Sequence, residues 1–430
     1  MGEHGMISIF TPTHRGDSKP WLREAWETIL EQTMPDWEWV LITNSGAHIP
    51  DDIVSDKRVR IIPYPFPPEE NGRYNIGALK KFAADQCRGD ILLEFDDDDL
   101  LTPNALEVLQ QAYADPDAMM VYCNTAEFKS DTWEPNTYSA WWGWKTRDFT
   151  YKGHELKENI SWPPGPWCLR HIYWSPNHLR SWRTSAYRES GGHDPKLALV
   201  DDHEMNIRFY LLHGEKGVKH IDQCLYLYRV HTDSTCRRYA ADIRAQDQWF
   251  YNKYIVELAK RWAGDHNLPV YDFGGGINPT PGFITVDQRE GADIVCDLEQ
   301  DWPFETDSVG IVRACHVFEH LSDPIHTMNE LYRVLAPGGF AFIELPSTDG
   351  RGAWQDPTHK SWWNENSFFY YTRKTHALFV PEYTGRFQIS DLRTYFPSKW
   401  YEDNKIPCVR AHLIALKPGY EERRAGEILI

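Results

Sequence analysis

Four consecutive carboxylates, Asp96 to Asp99, follow the short apolar stretch Ile91 to Phe95. Such crowding is unfavourable without a cation, because each negative charge disfavours the ionisation of its neighbours. A hard divalent cation, bound by one or two carboxylates and by substrate phosphates, suits this group. The alternative is a solvated acidic turn that binds nothing. The apolar strand before it favours a ligand site, because ligands bind at the carboxyl ends of strands in parallel sheets.

A second chemical group is the glycine loop Gly274 to Gly276, which follows the apolar run Val270 to Phe273. Taken alone, such a loop is also a common way to end a strand. Glycines let the backbone approach a ligand closely. Asp287 ends the next apolar run, where its carboxylate can accept hydrogen bonds from ribose hydroxyls, and Asp297 follows a third run. Together these residues indicate a cofactor that contains a nucleoside.

Alternating strands and helices are expected to position the acidic group. Short apolar runs predict the strands Met6 to Phe10, Trp39 to Thr43, Val59 to Pro63 and Ile91 to Phe95. Helical spacing of apolar residues predicts helices at Leu22 to Gln32 and Ile76 to Cys87. This alternation predicts a parallel sheet with helices on both faces. Residues 130–185 are rich in Trp, Pro and Tyr with weak periodicity, which predicts an irregular segment that either packs or lines an acceptor site.

The domain boundary is expected after a long predicted helix, Ala240 to Ala263. The turn-rich sequence Gly264-Asp265-His266-Asn267 follows it, and a second alternation of strands and helices starts at Val270. We therefore predict two α/β domains, at residues 1–262 and 267–430.

Several segments of the first domain resemble, in order, motifs of family 2 glycosyltransferases with the GT-A fold. They are Ile9 to Arg15, Leu41 to Gly46, Asn75 to Ala78, Phe95 to Asp99, Ser190 to Asp194, Leu199 to Arg208 and Tyr228 to Ser234. The resemblance implies a nucleotide-diphospho-sugar transferase domain. One departure is Asn44, which stands where the family often has an acid that contacts the base.

The resemblance also implies roles for single residues. Those implied to contact the nucleotide are Thr11, Pro12, Asn44 and Asp97, the last near the ribose. Asp98 and His231 would bind Mn²⁺ or Mg²⁺, and Asp202 would be the general base of an inverting transfer from a nucleotide-sugar such as a UDP-sugar. Asp202 can alternatively be an acid that interacts with the dipole at a helix N-terminus, and His231 a hydrogen-bonded structural histidine.

Residues 267–347 resemble class I S-adenosylmethionine-dependent methyltransferases, whose fold is Rossmann-like. The matching segments are the glycine loop, Asp287, Asp297-Leu298, Trp302-Pro303-Phe304, His316 to Leu321 and Arg333 to Gly339. A dinucleotide-binding domain would instead need Gly-x-Gly-x-x-Gly at the start of a helix. Here Asn278-Pro279-Thr280-Pro281 follows the glycines, and proline leaves little room for a helix.

This second resemblance implies a cofactor site and a set of candidate bases. The residues implied to bind S-adenosylmethionine are Asp272, Gly274, Gly276, Asp287, Asp297 and Leu298. Because the sulfonium methyl group is already activated, the protein mainly has to orient it towards a nucleophile. A general base must then come from the acceptor side, where His316 and His320 are the catalytic candidates, with Asp356 and His359 as further ones. Each of the four can alternatively be structural.

Bulk properties narrow the class of protein. The net charge of −18 argues against nucleic acid or an anionic membrane as a partner. The eight cysteines form no Cys-x-x-Cys pair, which is typical of reduced thiols in the cytoplasm. No signal peptide and no membrane-spanning run of 18 apolar residues is expected, so we predict a cytoplasmic enzyme.

The sequence therefore predicts an enzyme that transfers a sugar from a nucleotide-sugar to a glycan or other acceptor. It also predicts methylation, as O-methylation of the same sugar or glycan. Two alternatives stay open. The methyl acceptor can be a lipid, a protein or a nucleotide sugar, or one domain can serve only as a glycan-binding or scaffold module.

Overall fold

The computed structural model describes residues 5–68, 75–172, 176, 178–232, 238–276, 278–418 and 420. Asp233 and Ser234, which belong to the last glycosyltransferase-like motif, lie outside the described residues, as do residues 1–4 at the amino terminus. The chain divides into two compact units, Met1–Tyr138 with Trp144–Leu258 and Ser139–Gly143 with Ala259–Ile430. The domain limits 1–262 and 267–430 remain predictions.

The first unit is built on a mixed sheet. Its strands are β1 (Ile7–Thr13), β2 (Trp37–Thr43), β3 (Val59–Pro63), β4 (Ile91–Glu94), β5 (Leu100–Leu101), β6 (Met120–Lys129), β7 (Pro135–Asn136), β8 (Lys145–Tyr151), β9 (His154–Ile160), β10 (Arg180–Arg183) and β11 (Val218–Val230). The order in the described part is β3-β2-β1-β4-β10-β6-β11-β5, with β7 and β9 paired to β6 and β8 paired to β9. β1 to β4 pair in parallel, whereas β10 runs antiparallel to β4 and β6. The predicted parallel sheet is correct for β1 to β4. The rest of the sheet is mixed, because β6 and β11 pair in parallel whereas β5 is antiparallel to β11.

Alternating apolar residues explain why β1 and β2 lie inside the sheet. Phe10 and Val40 pack in one core cluster, whereas Ile9 and Leu41 pack in another, because successive side chains of a strand point to opposite faces. Trp39 is fully buried and stacks on Trp26 with ring centroids 5.6 Å apart. Both faces of this region are therefore apolar and covered, as expected for parallel strands.

The helices of the first unit lie between its strands along the chain. They are α1 (Trp21–Leu30), α2 (Asp51–Val54), α3 (Ile76–Asp85), α4 (Ala105–Ala112), α5 (Pro166–Leu169), α6 (Thr184–Glu189) and α7 (Asp201–Gly217). A further helix, α8 (Ala240–Asp265), begins in the first unit and ends in the second. It continues through Gly264, so the predicted break begins two residues later, at His266.

The segment 130–185 is more regular than predicted. β8 and β9 form an antiparallel hairpin in which Tyr151 pairs with His154. The two residues of its turn, Lys152 and Gly153, both have positive φ, at 47° and 88°. Two positive φ values are the requirement of a type I′ turn, which usually carries Asn-Gly or Asp-Gly, so Lys-Gly is a weak signal in the sequence.

The second unit contains a sheet with a reversal in its strand order. Its strands are β12 (Val270–Phe273), β13 (Ile284–Asp287), β14 (Ile294–Val295), β15 (Val309–Cys315), β16 (Leu335–Pro346), β17 (Phe387–Tyr395) and β18 (Cys408–Ala415). The order among the described residues is β14-β13-β12-β15-β16-β18-β17. Neighbouring strands pair in parallel from β14 through β13, β12 and β15 to β16. β18 is antiparallel to both β16 and β17. β13 follows β12 in the chain and lies on one side of it, whereas β15 lies on its other side. This reversal makes the ends of β12 and β15 the expected ligand site.

The helices of the second unit are mostly short. They are α9 (Pro324–Val334), α10 (Gly352–Gln355), α11 (Glu365–Thr372), α12 (Lys374–Ala377) and α13 (Lys399–Asp403). Asp323 caps α9, since its carboxylate accepts hydrogen bonds from the backbone N–H groups of Ile325 and His326. No helix of the described residues has the length and apolarity needed to cross a membrane.

Candidate active sites

The acidic cluster of the first unit lies where β1 and β4 end side by side. Thr13, the last residue of β1, donates a hydrogen bond from Oγ1 to Asp97 Oδ2 at 2.5 Å. Arg15 Nη1 lies 2.6 Å from Asp97 Oδ1 and 3.0 Å from Asp98 Oδ2. β2 lies on one side of β1 in the sheet, and β4 lies on the other side. The strand order therefore reverses at β1, and ligands of such sheets bind at this switch point.

Asp98 and His231, the two predicted metal ligands, meet although they are distant in sequence. Asp98 Oδ2 lies 2.9 Å from His231 Nε2. Two neighbouring ligands of one divalent cation, each about 2.1 Å from it, are about 3 Å apart. The donor pair therefore fits a divalent cation. Asp99 differs from Asp98, because its carboxylate accepts hydrogen bonds from Tyr226 Oη and from the backbone N–H of Arg229, both at 2.7 Å.

The protonation states of the cluster also favour a cation. Burial, together with the charge of Asp98, raises the pKa of Asp97 to about 6 in spite of Arg15. Burial raises the pKa of Asp99 well above its usual value, and Asp98 adds to that shift. For Asp98 itself burial acts in the same direction, but His231 and Arg15 outweigh it and lower the pKa. The four carboxylates do not ionise together without additional positive charge.

The residues predicted to contact the nucleotide differ in what they offer. Asn44 follows β2, is buried, and its side-chain Oδ1 has no hydrogen-bond partner among the described residues, so a ligand N–H could satisfy it. Pro12 is half-buried in β1. Thr11 is fully buried, and its hydroxyl donates to the carbonyl of Phe95 and accepts from Trp39 Nε1. The Thr11 side chain is thus part of the sheet core.

Asp202 lies in the first turn of α7, as predicted. The preceding Val200 has φ 55°, a left-handed conformation that is costly for a β-branched residue and is typical of functional sites. Arg180 Nη1 lies 3.2 Å from Asp202 Oδ2. Burial raises the pKa of Asp202, but the positive charges of Arg180 and Lys80 outweigh it and leave the pKa below its usual value. Asp202 is therefore ionised at neutral pH and able to accept a proton.

A buried ion network connects Asp202 to the strand that carries the acidic cluster. Glu94, the last residue of β4, is fully buried and lies 2.6 Å from Arg180 Nη2, 2.9 Å from Lys80 Nζ and 3.3 Å from His193 Nε2. Lys80 Nζ also lies 3.3 Å from Asp201. Glu94, Lys80 and Arg180 were not among the predicted site residues. An acid inside the apolar run Ile91–Glu94 was the available signal, because a buried carboxylate needs a cationic partner.

The glycine loop of the second unit follows β12 at the switch point. Gly274 is exposed and has φ 72°, and a Cβ on it would lie 2.5 Å from Val317 Cγ2. Gly276 donates its N–H to Asp287 Oδ2 at 3.2 Å, which joins the loop to the end of β13. The described residues between β12 and β13 form no helix, as the prolines predicted. An open glycine backbone beside a half-buried carboxylate fits an adenosyl cofactor.

The other residues predicted at this cofactor are distributed around the loop. Asp272 is fully buried and accepts hydrogen bonds from Thr280 N at 3.0 Å and Arg313 Nη1 at 2.7 Å. Its carboxylate therefore stabilises the segment that follows the glycine loop. Asp297 is exposed, and Leu298 is buried in the core of the unit. Both follow β14, beside the end of β13.

His316 and His320, the candidate catalytic histidines, lie directly after β15. His316 has φ 57°, and its Nδ1 lies 3.4 Å from Glu319 Oε1. The nearby carboxylate of Glu319 raises the pKa of His316, and burial opposes this shift only in part. His320 lies on the turn Phe318–His320, with its ring centroid 5.0 Å from that of His359. Asp356 Oδ2 lies 3.9 Å from His359 Nε2, so His320, His359 and Asp356 share one neighbourhood, with His316 on the preceding turn.

Comparison with known proteins finds two family matches along the chain. Residues 8–173 match the family model described as glycosyl transferase family 2. Residues 275–343 match the model described as a methyltransferase domain. The chain therefore contains a glycosyl transferase family 2 match followed by a methyltransferase-domain match. Asp202 and His231 lie beyond the first match, and His359 lies beyond the second.

Individual relatives cover the first part of the chain. Glycosyltransferase GlyG of Streptococcus pneumoniae serotype 4 is 24% identical over 265 residues, which is 60% of this chain and 80% of that protein. O-antigen biosynthesis protein RfbC of Myxococcus xanthus is 27% identical over 148 residues, covering 30% of this chain and 11% of that protein. The structure of S. aureus TarS 1-349 in complex with UDP overlaps with a TM-score of 0.38 at 13% identity, over 59% of this chain and 65% of that one.

Proposed function

We propose that the chain transfers a sugar from a nucleotide-sugar, of which a UDP-sugar is the favoured donor, to a glycan acceptor, and that it O-methylates the product. The observation that carries the transfer is the pair Asp98 and His231, 2.9 Å apart at the switch point of the sheet. The matches to both families support the two reaction types.

Asp98 and His231 would hold a divalent cation, Mn²⁺ or Mg²⁺, beside the diphosphate of the donor. When bound, the cation neutralises the charge that develops on the leaving nucleoside diphosphate. Arg15 lies between the carboxylates of Asp97 and Asp98, so its guanidinium is placed to contact a phosphate when the cation compensates the acids. The buried Oδ1 of Asn44 would accept a hydrogen bond from the base of the nucleotide.

Asp202 would act as the general base. Its carboxylate accepts the proton of the acceptor hydroxyl, while the hydroxyl oxygen forms the new bond to the anomeric carbon and the nucleoside diphosphate leaves. A single displacement of this kind inverts the configuration at that carbon. Arg180 keeps Asp202 ionised and fixes its orientation through their 3.2 Å contact.

The methyltransferase site would bind S-adenosylmethionine on the loop Gly274 to Gly276, with the ribose hydroxyls on Asp287. The bound cofactor supplies an activated methyl group, and the chain has to orient it towards the acceptor oxygen. His316 and His320 lie on the adjacent strand end, where either can accept the proton of the acceptor hydroxyl. O-methylation is favoured because a sugar offers hydroxyl groups.

Calorimetric titration of the full chain tests both halves of this proposal. We expect UDP to bind in the presence of Mn²⁺ and to lose affinity in EDTA, and S-adenosylhomocysteine to bind in either condition. Mass spectrometry of donor hydrolysis over a panel of nucleotide-sugars would then identify the sugar. Failure of S-adenosylhomocysteine to bind would make the second domain a scaffold. Methylation confined to lipid or protein would overturn the glycan acceptor.

A further inference from the structure

A cluster of nitrogen and oxygen donors lies beside the glycine loop of the methyltransferase unit. Glu319, His320 and His359 each offer one atom, and these atoms all lie within 4.8 Å of one another. We propose that the three side chains bind a divalent transition-metal cation, in addition to the cation of the glycosyltransferase site. Two imidazoles and one carboxylate suit zinc-like ions and leave a position open, whereas Mg²⁺ prefers oxygen ligands alone.

The orientation of both histidines is already that of metal ligands. His359 Nδ1 lies 2.8 Å from the carbonyl oxygen of Ala353, and His320 Nδ1 lies 3.3 Å from that of Thr358. A carbonyl oxygen only accepts hydrogen bonds, so a neutral His359 carries its proton on Nδ1 and keeps the lone pair on Nε2. His320 Nδ1 also lies 3.1 Å from Thr358 Oγ1, whose own hydrogen is donated to Asp356 Oδ1 at 2.6 Å, so a neutral His320 has the same tautomer. Metal-bound histidines characteristically donate their second nitrogen to such a partner, which sets the tautomer and the direction of the ring.

Glu319 supplies an independent reason to expect a cation. Glu319 is 2% exposed, and neither of its carboxylate oxygens accepts a hydrogen bond from any described residue. The nearest group that can be positively charged is His316, whose Nδ1 lies 3.4 Å from Oε1. A buried carboxylate without hydrogen bonds is unfavourable, and a bound cation would remove that cost.

The ligands come from two segments that are held together before any metal binds. The backbone N–H groups of Lys360 and Ser361 donate to the carbonyl of Glu319 at 2.7 and 3.0 Å. Ser361 Oγ also donates to the carbonyl of Phe318 at 2.9 Å. The loop that carries His359 is therefore fastened to the turn that carries Glu319 and His320, so little ordering is needed on binding.

The position of the cluster indicates what the cation would do. Val317 is within contact distance of Gly274 in the cofactor loop, so the turn that follows Val317 would lie next to a methyl donor bound on that loop. Trp354 and Trp362 lie before and after His359 in the sequence. They are 60% and 50% exposed, and their rings stack with centroids 5.7 Å apart. Exposed aromatic rings of this kind suit the face of a sugar. If the proposed function holds, the open position on the cation would take the acceptor hydroxyl and lower its pKa. His316 would then be the base of the two candidates, because the cation occupies His320.

Equilibrium dialysis of the full chain against Zn²⁺ tests the site without any substrate. We expect His359→Ala and His320→Ala each to bind one equivalent less than the unsubstituted chain. The matched control is His326→Ala, in the same unit but outside the cluster, and it should lose none. Since the glycosyltransferase site is intact in all of these proteins, its own metal cancels in the comparison. Equal Zn²⁺ stoichiometry in all four proteins would overturn the proposal.

Glu319→Gln keeps the shape of the side chain and removes its charge, so it should weaken Zn²⁺ at least tenfold. If this buried variant does not fold, the two histidine variants still decide the question. Binding of S-adenosylhomocysteine is measured on the same samples. Retained S-adenosylhomocysteine binding without zinc binding would reject the metal site and leave the proposed methyl transfer standing, whereas zinc binding without S-adenosylhomocysteine binding would do the reverse.

Discussion

At the scale of single residues, the candidate glycosyltransferase site depends on charged groups that set each other's ionisation. Asp98 is ionised because His231 and Arg15 lie against it, and Asp202 is ionised because Arg180 does. Asp97 and Asp99 have raised pKa values for the opposite reason, since burial outweighs their partners. Consecutive aspartates of the acidic cluster therefore differ in their pKa values and in the chemistry open to them.

Asp202→Asn is expected to reduce the rate of sugar transfer by about two to four orders of magnitude, because the amide cannot accept the acceptor proton. Binding of the nucleotide should be unchanged. Initial rates and calorimetry on the same preparation measure both. The matched control is Asp201→Asn, where the carboxylate faces Lys80 instead. Unchanged turnover in Asp202→Asn with an inactive Asp201→Asn would move the base by one position.

Asp98→Asn is expected to reduce sugar transfer by about a hundredfold or more and to weaken nucleotide binding in the presence of Mn²⁺. The cause is the loss of a charged ligand for the cation. Asp222→Asn, which changes an exposed aspartate of the same unit, is the control and should retain full activity. Full activity of the unsubstituted enzyme in EDTA would contradict metal dependence.

At the scale of elements, strand ends decide where chemistry occurs. β1 and β4 deliver Thr13 and Asp97 to one edge, and β12 and β15 deliver Gly274 and His316 to the other site. The hairpin β8–β9 shows the limit of local patterns. Its strand β8 is mostly exposed and lacks alternating apolar residues, so pairing with β9 rather than periodicity defines it.

Gly274→Ala is expected to weaken S-adenosylhomocysteine binding by about tenfold or more and to lower the melting temperature. A left-handed conformation costs alanine about 1–2 kcal/mol, and its Cβ would collide with Val317. Gly291→Ala is the matched control, because Gly291 also has a positive φ, of 102°, but open space around its Cβ. It should lose some stability and keep its affinity. Equal affinity losses in both variants would show that crowding at Val317 is unimportant.

His412, on β18, is expected to make the methyltransferase unit less stable in acid. Burial, assisted by Arg410 and Arg393 and opposed by Asp391, lowers the pKa of His412 to about 3. The unfolded chain therefore binds a proton below about pH 6.5 that the folded chain does not bind. Stability is complete above that pH and is lost as the pH falls, by about 2 kcal/mol at pH 5.

His412→Gln should reduce this dependence, because glutamine does not titrate. Calorimetric melting at pH 8 and pH 5 measures it, in the transition that S-adenosylhomocysteine shifts upward. His376→Gln, at a half-buried position of the same unit, is expected to follow the unsubstituted protein. An unchanged difference between pH 8 and pH 5 in His412→Gln would contradict this origin of acid sensitivity.

At the scale of the whole molecule, two transferase domains share one chain, and the helix α8 runs from the first unit into the second. Covalent linkage raises the concentration of one site's product near the other, to about millimolar for a short connection. The gain exists only when that product fits the second site. A shared glycan substrate is the arrangement that uses the linkage.

We expect sugar transfer to precede methylation, because methylating a terminal sugar would cap the glycan. The measurement supplies donor, acceptor and methyl-labelled cofactor together, and then omits the donor. Label should enter the glycan only when transfer has occurred. Equally fast methylation of the bare acceptor would reverse the order, and absence of label from glycan under all conditions would end the shared-substrate hypothesis.

Local features could be read from the order of residues. β3 and β12 lie where their apolar runs predicted, and the acidic cluster and the glycine loop follow strands as expected. These features depend on neighbours a few positions apart, because strand periodicity and turn chemistry are local properties.

Partnerships could not be read in this way. Glu94 meets Arg180 across 86 positions, and Glu319 meets His359 where two backbone hydrogen bonds hold their segments together. The pair Asp98 and His231, 133 positions apart, was expected from the family resemblance and not from any local pattern. Such contacts depend on strand order and register, which no short window contains. The physical reason is that a buried charge accepts any opposite charge of suitable geometry, and only the completed fold selects which one lies within 3 Å of it.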